Sequence, residues 1–165
     1  MYATKTVPAG EGGIVITNDE ELALMLKKFV IYDRFDQEQE IGVNFRISEL
    51  QALFSFCVCE ETENIILNKQ KIAKEYMAKC NEYDIDYISQ SNNGHRGNYY
   101  KFILLSKNSV DQDFKHITLR TSPVYDYSLG DDKEKIISKH ICLPIWYNLD
   151  RSIIDKVIKS ISEVK

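Results

Sequence analysis

Lys5 stands in Tyr2-Ala3-Thr4-Lys5, shortly ahead of Gly10-Glu11-Gly12-Gly13-Ile14-Val15-Ile16-Thr17. A primary amine before a glycine-rich turn and a β-branched run suits Schiff-base chemistry, because such a turn lets the backbone approach a bound group closely. Condensation with an aldehyde requires the neutral amine, so burial or neighbouring positive charge must lower an ordinary lysine pKa of about 10.4. Once an amino donor displaces it, the freed amine can carry a proton as a positioned base and acid. The competing reading is a solvated lysine beside a tight turn, the usual fate of a lone lysine. Arg46 offers a second charge; it can neutralise a phosphate or pair with Glu49 at a helix start.

Three segments carry a family resemblance. Ala3-Thr4-Lys5 with Gly10-Glu11-Gly12-Gly13 resembles the pyridoxal-phosphate lysine segment of the DegT/DnrJ/EryC1/StrS sugar aminotransferases. Gly42-Val43-Asn44-Phe45-Arg46-Ile47-Ser48-Glu49-Leu50-Gln51-Ala52 is similar to that family's G-x-N-x-R-x-S-E-L-Q-A stretch, and Cys142-Leu143-Pro144-Ile145-Trp146-Tyr147-Asn148-Leu149 to the leucine-proline turn before its last helix.

The resemblance implies a fold and a function. It spans essentially the whole chain but only about the C-terminal half of the family pattern. It implies an α/β chain of the aspartate aminotransferase-like fold type I: 1–36 as a remnant of the cofactor-binding large domain, 37–82 as a long helical connection, and 83–165 as a small α+β domain. It implies pyridoxal 5'-phosphate as cofactor, Lys5 as catalytic and cofactor-binding residue, and Asn44 as a ligand of the cofactor phosphate in a neighbouring subunit. Turn chemistry explains Asn44 equally well. Tyr100-Lys101 occupies the place of an aromatic-histidine pair near the sugar or its diphosphate, so Arg46, Tyr100 and Lys101 are expected substrate contacts and the sugar is left open. The implied reaction moves an amino group from glutamate to a nucleotide-linked keto sugar, in biosynthesis of cell-surface polysaccharide or antibiotic sugars. The acid that pairs with the pyridine nitrogen and the loop that grips the phosphate belong to the half not matched. The isolated chain is therefore expected to be inactive, and a homodimer or a complementary N-terminal half chain is expected as partner. The alternative is a catalytically silent, truncated relative serving as a folded interaction module.

Composition fits one soluble globular chain. Of 165 residues, 44% are hydrophobic and 28% charged, with a net charge of −4. No run approaches the ~20 apolar residues of a membrane helix, and the negative balance gives no field for a phosphate backbone, so neither membrane nor nucleic acid is an expected partner. The start has no apolar signal core, and four cysteines without pattern point to a reducing cytoplasm and free thiols. Cys57 and Cys59 are expected as buried or half-buried thiols on different helix faces. His95, His116 and His140 stand singly as packing or surface residues, and no metal site is expected.

The elements that must position these groups follow from spacing. Ile14 to Thr17 predicts a strand, and Asn18-Asp19-Glu20-Glu21 predicts the cap of a helix with Leu22, Met25, Leu26, Phe29 and Val30 on one face. Ser48 and Gln51 form a capping-box pattern opening a long helical region towards Cys80. Ser89 to Asn98 reads as a loop. Tyr99 to Ser106 predicts a strand, and Ile117, Leu119 and Thr121 alternate as a second. Asp150 predicts the cap of a last helix with Ile153, Ile154, Val157, Ile158, Ile161 and Val164 on the stripe that covers the sheet.

Overall fold

The computed structural model describes residues 5–30, 45–91, 94–124 and 138–164. The chain divides into two compact units, Met1–Glu61 and Thr62–Lys165.

In the first unit, Asp19 caps α1 (Glu20–Val30): its Oδ1 accepts from the Leu22 amide at 3.0 Å, satisfying one orphan N–H of the first turn. Ser48 caps α2 (Glu49–Glu60) in the same way, its Oγ accepting from the Gln51 amide at 3.3 Å. Both helices form as expected, yet they bury little. No residue of α1 is buried, and Ser55 alone is buried in α2. Leu50, Leu53, Phe54 and Phe56 all lie exposed, so α2 is apolar around much of its circumference. The predicted strand at Ile14 to Thr17 is instead extended chain without a ladder partner among the described residues, with Ile16 91% exposed. A strand needs a neighbour to take its N–H and C=O groups, and β-branched composition does not supply one. Cys57 and Cys59 are likewise exposed rather than buried.

The expected long helical region is interrupted: Glu61, at φ −87° and ψ 0°, leaves the α conformation, and α3 (Thr62–Glu82) begins after it. In the second unit α3 buries Ile65, Ile72, Ala73, Tyr76 and Cys80 along one face. That face meets a two-stranded antiparallel ribbon, β1 (Phe102–Leu105) and β2 (His140–Leu143), in the register Phe102↔Leu143 to Leu105↔His140. A lone ribbon is marginal in water. Here α3 and α5 (Arg151–Ile161) close the core, with Ile154, Val157 and Ile161 packed against Tyr76, Phe102, Leu104 and Leu143. Phe102 lies at the centre, its ring 5.4 Å from Tyr76 and 5.8 Å from Tyr87 between centroids. The Tyr76 hydroxyl donates to the Pro144 carbonyl at 3.0 Å, tying α3 to the turn after β2.

The predicted second strand is misplaced. Thr121 makes a single bridge to Cys142, while Ile117 to Arg120 is not a strand. Arg120 donates to the carbonyls of both Phe114 and Ile117, so side-chain donors take acceptors that a ladder would use. The true partner strand is His140–Leu143, buried at all four positions and therefore without alternation. A short α4 (Val110–Asp113) precedes it, capped by Ser109. Asp113 accepts from the Asn108 amide and side chain, both at 2.9 Å, and from Ser106 Oγ at 2.7 Å; these bonds hold its carboxyl down at about 2. The last helix has the predicted cap, with Asp150 Oδ1 accepting from the Ser152 amide at 2.8 Å.

Two outcomes are expected. Phe102→Ala opens a cavity at the meeting point of three tyrosines and should cost about 3–5 kcal/mol in urea unfolding. Lys69 on α3 is 4% exposed, and burial lowers its ammonium pKa from 10.5 to about 8. The folded pKa lies below the unfolded one, so between about 8 and 10.5 the unfolded chain binds more protons and stability rises with pH. Lys69→Met should flatten that rise and stabilise the fold at pH 7 by on the order of 1–3 kcal/mol, both read from denaturant midpoints across pH.

Candidate functional site

Lys5 itself is exposed, but the chain beyond it packs quickly: Thr6, Val7 and Pro8 are half-buried and Ala9 is fully buried. Gly10 and Gly12 then turn the chain at φ +83° and +114°, values that L side chains rarely adopt. Both also approach α2 and the residues entering it closely. A Cβ on Gly10 would stand 3.3 Å from Gln51 Nε2, and one on Gly12 would stand 3.3 Å from Ile47 Cδ1. Between them, the Glu11 carbonyl accepts a hydrogen bond from Gln51 Nε2 at 2.5 Å. The lysine segment and the Ser48–Gln51 helix start, forty residues apart in sequence, are thus one local structure.

The capping box predicted at Ser48 and Gln51 is half made. The Gln51 amide donates to Ser48 Oγ, but the Gln51 side chain, instead of returning to the Ser48 amide, crosses to Glu11. Sequence reasoning assigned Gln51 to helix initiation and so missed the side chain that holds the loop. The glycine spacing was the available signal, since two glycines flanking one residue leave its carbonyl open to an outside donor.

The other predicted residues are distributed. Arg46 is exposed in the chain entering α2. Asn44 falls outside the described residues. Tyr100 and Lys101 belong to the second unit, just before β1. Lys101 is 8% exposed, and its Nζ donates to the Ser122 carbonyl at 2.6 Å and Oγ at 3.3 Å, 5.6 Å from the Tyr100 ring centroid. His116 Nε2 lies 3.0 Å from the Ser160 carbonyl, and His140 Nε2 accepts from the Val124 amide at 3.2 Å, so both serve packing. A cavity of about 200 Å³ in the second unit is lined by Tyr83, Asp84, Asp86, Lys107, Asp113 and Phe114 among others. It includes none of the predicted site residues, and Lys107 pairs with Asp84 at 2.8 Å. Among the described residues no group of three or more His, Cys, Asp or Glu side chains could hold a metal ion, and no described helix is long and apolar enough to cross a membrane.

The architecture is that of the C-terminal part of a fold type I pyridoxal-phosphate-dependent transferase. A profile of the DegT/DnrJ/EryC1/StrS aminotransferase family matches residues 1–162, and the chain belongs to that family. A Brucella abortus aminotransferase of the family superposes with a TM-score of 0.74 at 20% identity, covering 98% of this chain and 48% of the other. The S. venezuelae protein DesV superposes with a TM-score of 0.76 at 22% identity, covering 98% and 49%. In sequence, a UDP-2-acetamido-2-deoxy-3-oxo-D-glucuronate aminotransferase of Pseudomonas aeruginosa is 38% identical over 69 residues, 41% of this chain and 19% of that protein. The chain spans about half the length of the solved relatives it matches.

Gly12→Ala should strain the loop by about 1–3 kcal/mol, because its backbone angle is costly for alanine and the new methyl meets Ile47. The expected outcome is faster cleavage after Glu11 by a glutamate-specific protease at unchanged helical circular dichroism.

Proposed function

We propose that this chain contributes the lysine segment and small domain of a pyridoxal-phosphate-dependent aminotransferase acting on a nucleotide-linked keto sugar, with glutamate as amino donor. The pocket groups of the half not matched lie outside these 165 residues, and a homodimer partner is the further contributor that the family implies. In this reading residues 1–36 belong to the cofactor-binding domain, 37–82 connect, and 83–165 form the small domain.

The observation that carries the reading is the bond from Gln51 to Glu11, which makes the lysine segment and the helix-start segment of the family one physical unit. The residues fit the cofactor in type: an amine at Lys5 and a guanidinium at Arg46. When bound, the cofactor supplies an electron sink for cleavage at the amino-bearing carbon. Lys5 would hold it covalently and, once displaced by the amino donor, its freed amine would serve as base and acid for the proton. Asn44 and Arg46 hold the phosphate or the substrate anion, and Tyr100 and Lys101 border the sugar site. Lys5 is exposed, so enclosure on cofactor binding would favour its neutral form, and at high pH the amine is neutral without it.

Support also comes from what the first unit leaves open. Ile14, Val15, Phe29, Phe45, Leu53 and Phe54 are all large, apolar and exposed, a set that demands cover in a working enzyme.

The test is to incubate the purified chain with pyridoxal phosphate, reduce with borohydride and map the label. A pyridoxyl group on Lys5, lost in Lys5→Ala, is the expected result. Label on other lysines with none on Lys5 refutes the assignment.

A further inference from the structure

We infer that Gln51 is a positioning residue for Lys5, acting through the loop that follows it; the inference rests on the role proposed above for that lysine. Two side chains seat this loop from the α2 side, Gln51 and Ile47. Gln51 Nε2 donates to the Glu11 carbonyl at 2.5 Å. The Gly10 backbone lies so close to the Gln51 amide that a Cβ there would stand 3.3 Å away, and Gly12 has the same relation to Ile47. A longer side chain at either glycine would push the loop from its seat.

The direction of the Gln51 side chain is the telling point. At the third position of a capped helix, glutamine ordinarily turns back to satisfy the amide of its own cap residue. Gln51 donates through Nε2 to the carbonyl of a loop residue forty positions away. The Gln51 main chain stays committed to α2, with its amide on Ser48 Oγ and its carbonyl accepting from Ser55 Oγ at 2.7 Å. The side chain therefore moves only with the helix. Loop and helix start are fixed to each other, and the fully buried Ala9 carries that restraint towards Lys5. Without the bond the turn loses one tie to α2, and the amine samples a wider volume.

Removal of one such bond is worth a factor of about 3–10. The test uses Gln51→Met, which keeps length and helix propensity but has no donor, and Gln51→Glu, which keeps shape as well. Two measurements on the full chain are needed: cleavage after Glu11 by a glutamate-specific protease, and the rate of borohydride-trapped pyridoxyl labelling of Lys5 across pH. The expected result is about 3–10-fold faster cleavage in both variants. Labelling of Lys5 should fall by a similar factor at its high-pH plateau with an unchanged midpoint, while labelling of the exposed Lys27 and Lys28 stays constant. Wild-type rates in Gln51→Glu would overturn the inference, since shape and not the donor would then set the loop. Unchanged Lys5 labelling despite faster cleavage would overturn it too, leaving a loop brace with no bearing on the amine. If wild-type Lys5 takes no label while Lys27 and Lys28 do, the reading of Lys5 fails, and the positioning role falls with it whatever the protease reports.

Discussion

An amine condenses with an aldehyde only when it is uncharged, and a lysine loses its charge near neutral pH only inside an enclosure. Lys5 has half of what that requires. The chain after it packs through the buried Ala9, two glycines at positive φ and the Glu11–Gln51 bond, while Lys5 itself is exposed. The described contacts thus fix the loop after Lys5, while the proposed chemistry needs an enclosure as well. Lys69 illustrates the contrast, since a largely buried lysine in the same chain is pushed down to about 8 by burial alone.

The two units differ in how they are held. The second has a closed core, in which Tyr76, Phe102, Leu104, Ile117, Val157 and Ile161 are all nearly inaccessible. A ribbon of four paired positions would not survive by itself, but the helices on it supply the missing apolar area. The first unit relies on helix caps and the loop contact, with few buried side chains to reinforce them. Capping contributes about 1 kcal/mol per helix, far less than a core, so α1 and α2 depend on cover from elsewhere for most of their stability.

Local chemistry was legible in the sequence wherever a short pattern fixed it. The caps at Asp19, Ser48 and Asp150 and the apolar stripe of the last helix follow from side chains a few residues apart. The fold type followed from the family blocks. What sequence left hidden depended on distant partners. Ile14 to Thr17 has strand composition and nothing described to pair with. Ile117 to Thr121 alternates, but Arg120 turns back to the preceding carbonyls and His140–Leu143 takes the ladder. Because β2 is buried on both faces, it lacks the two-residue period by which a strand is recognised. At the site the same limit applied: Lys5 and the glycines were readable, whereas the destination of the Gln51 side chain is a tertiary fact.

The thiols of this chain divide by reactivity in a useful way. Cys80 is buried and pushed up to about 12, and burial also raises Cys142, so neither presents a thiolate at neutral pH. Cys57 and Cys59 lie exposed on α2, two positions apart on its apolar circumference. Whatever macromolecule seats itself on that helix screens sulfur as well as carbon. An alkylating reagent would then read occupancy of the surface directly, with the interior cysteines silent in the background.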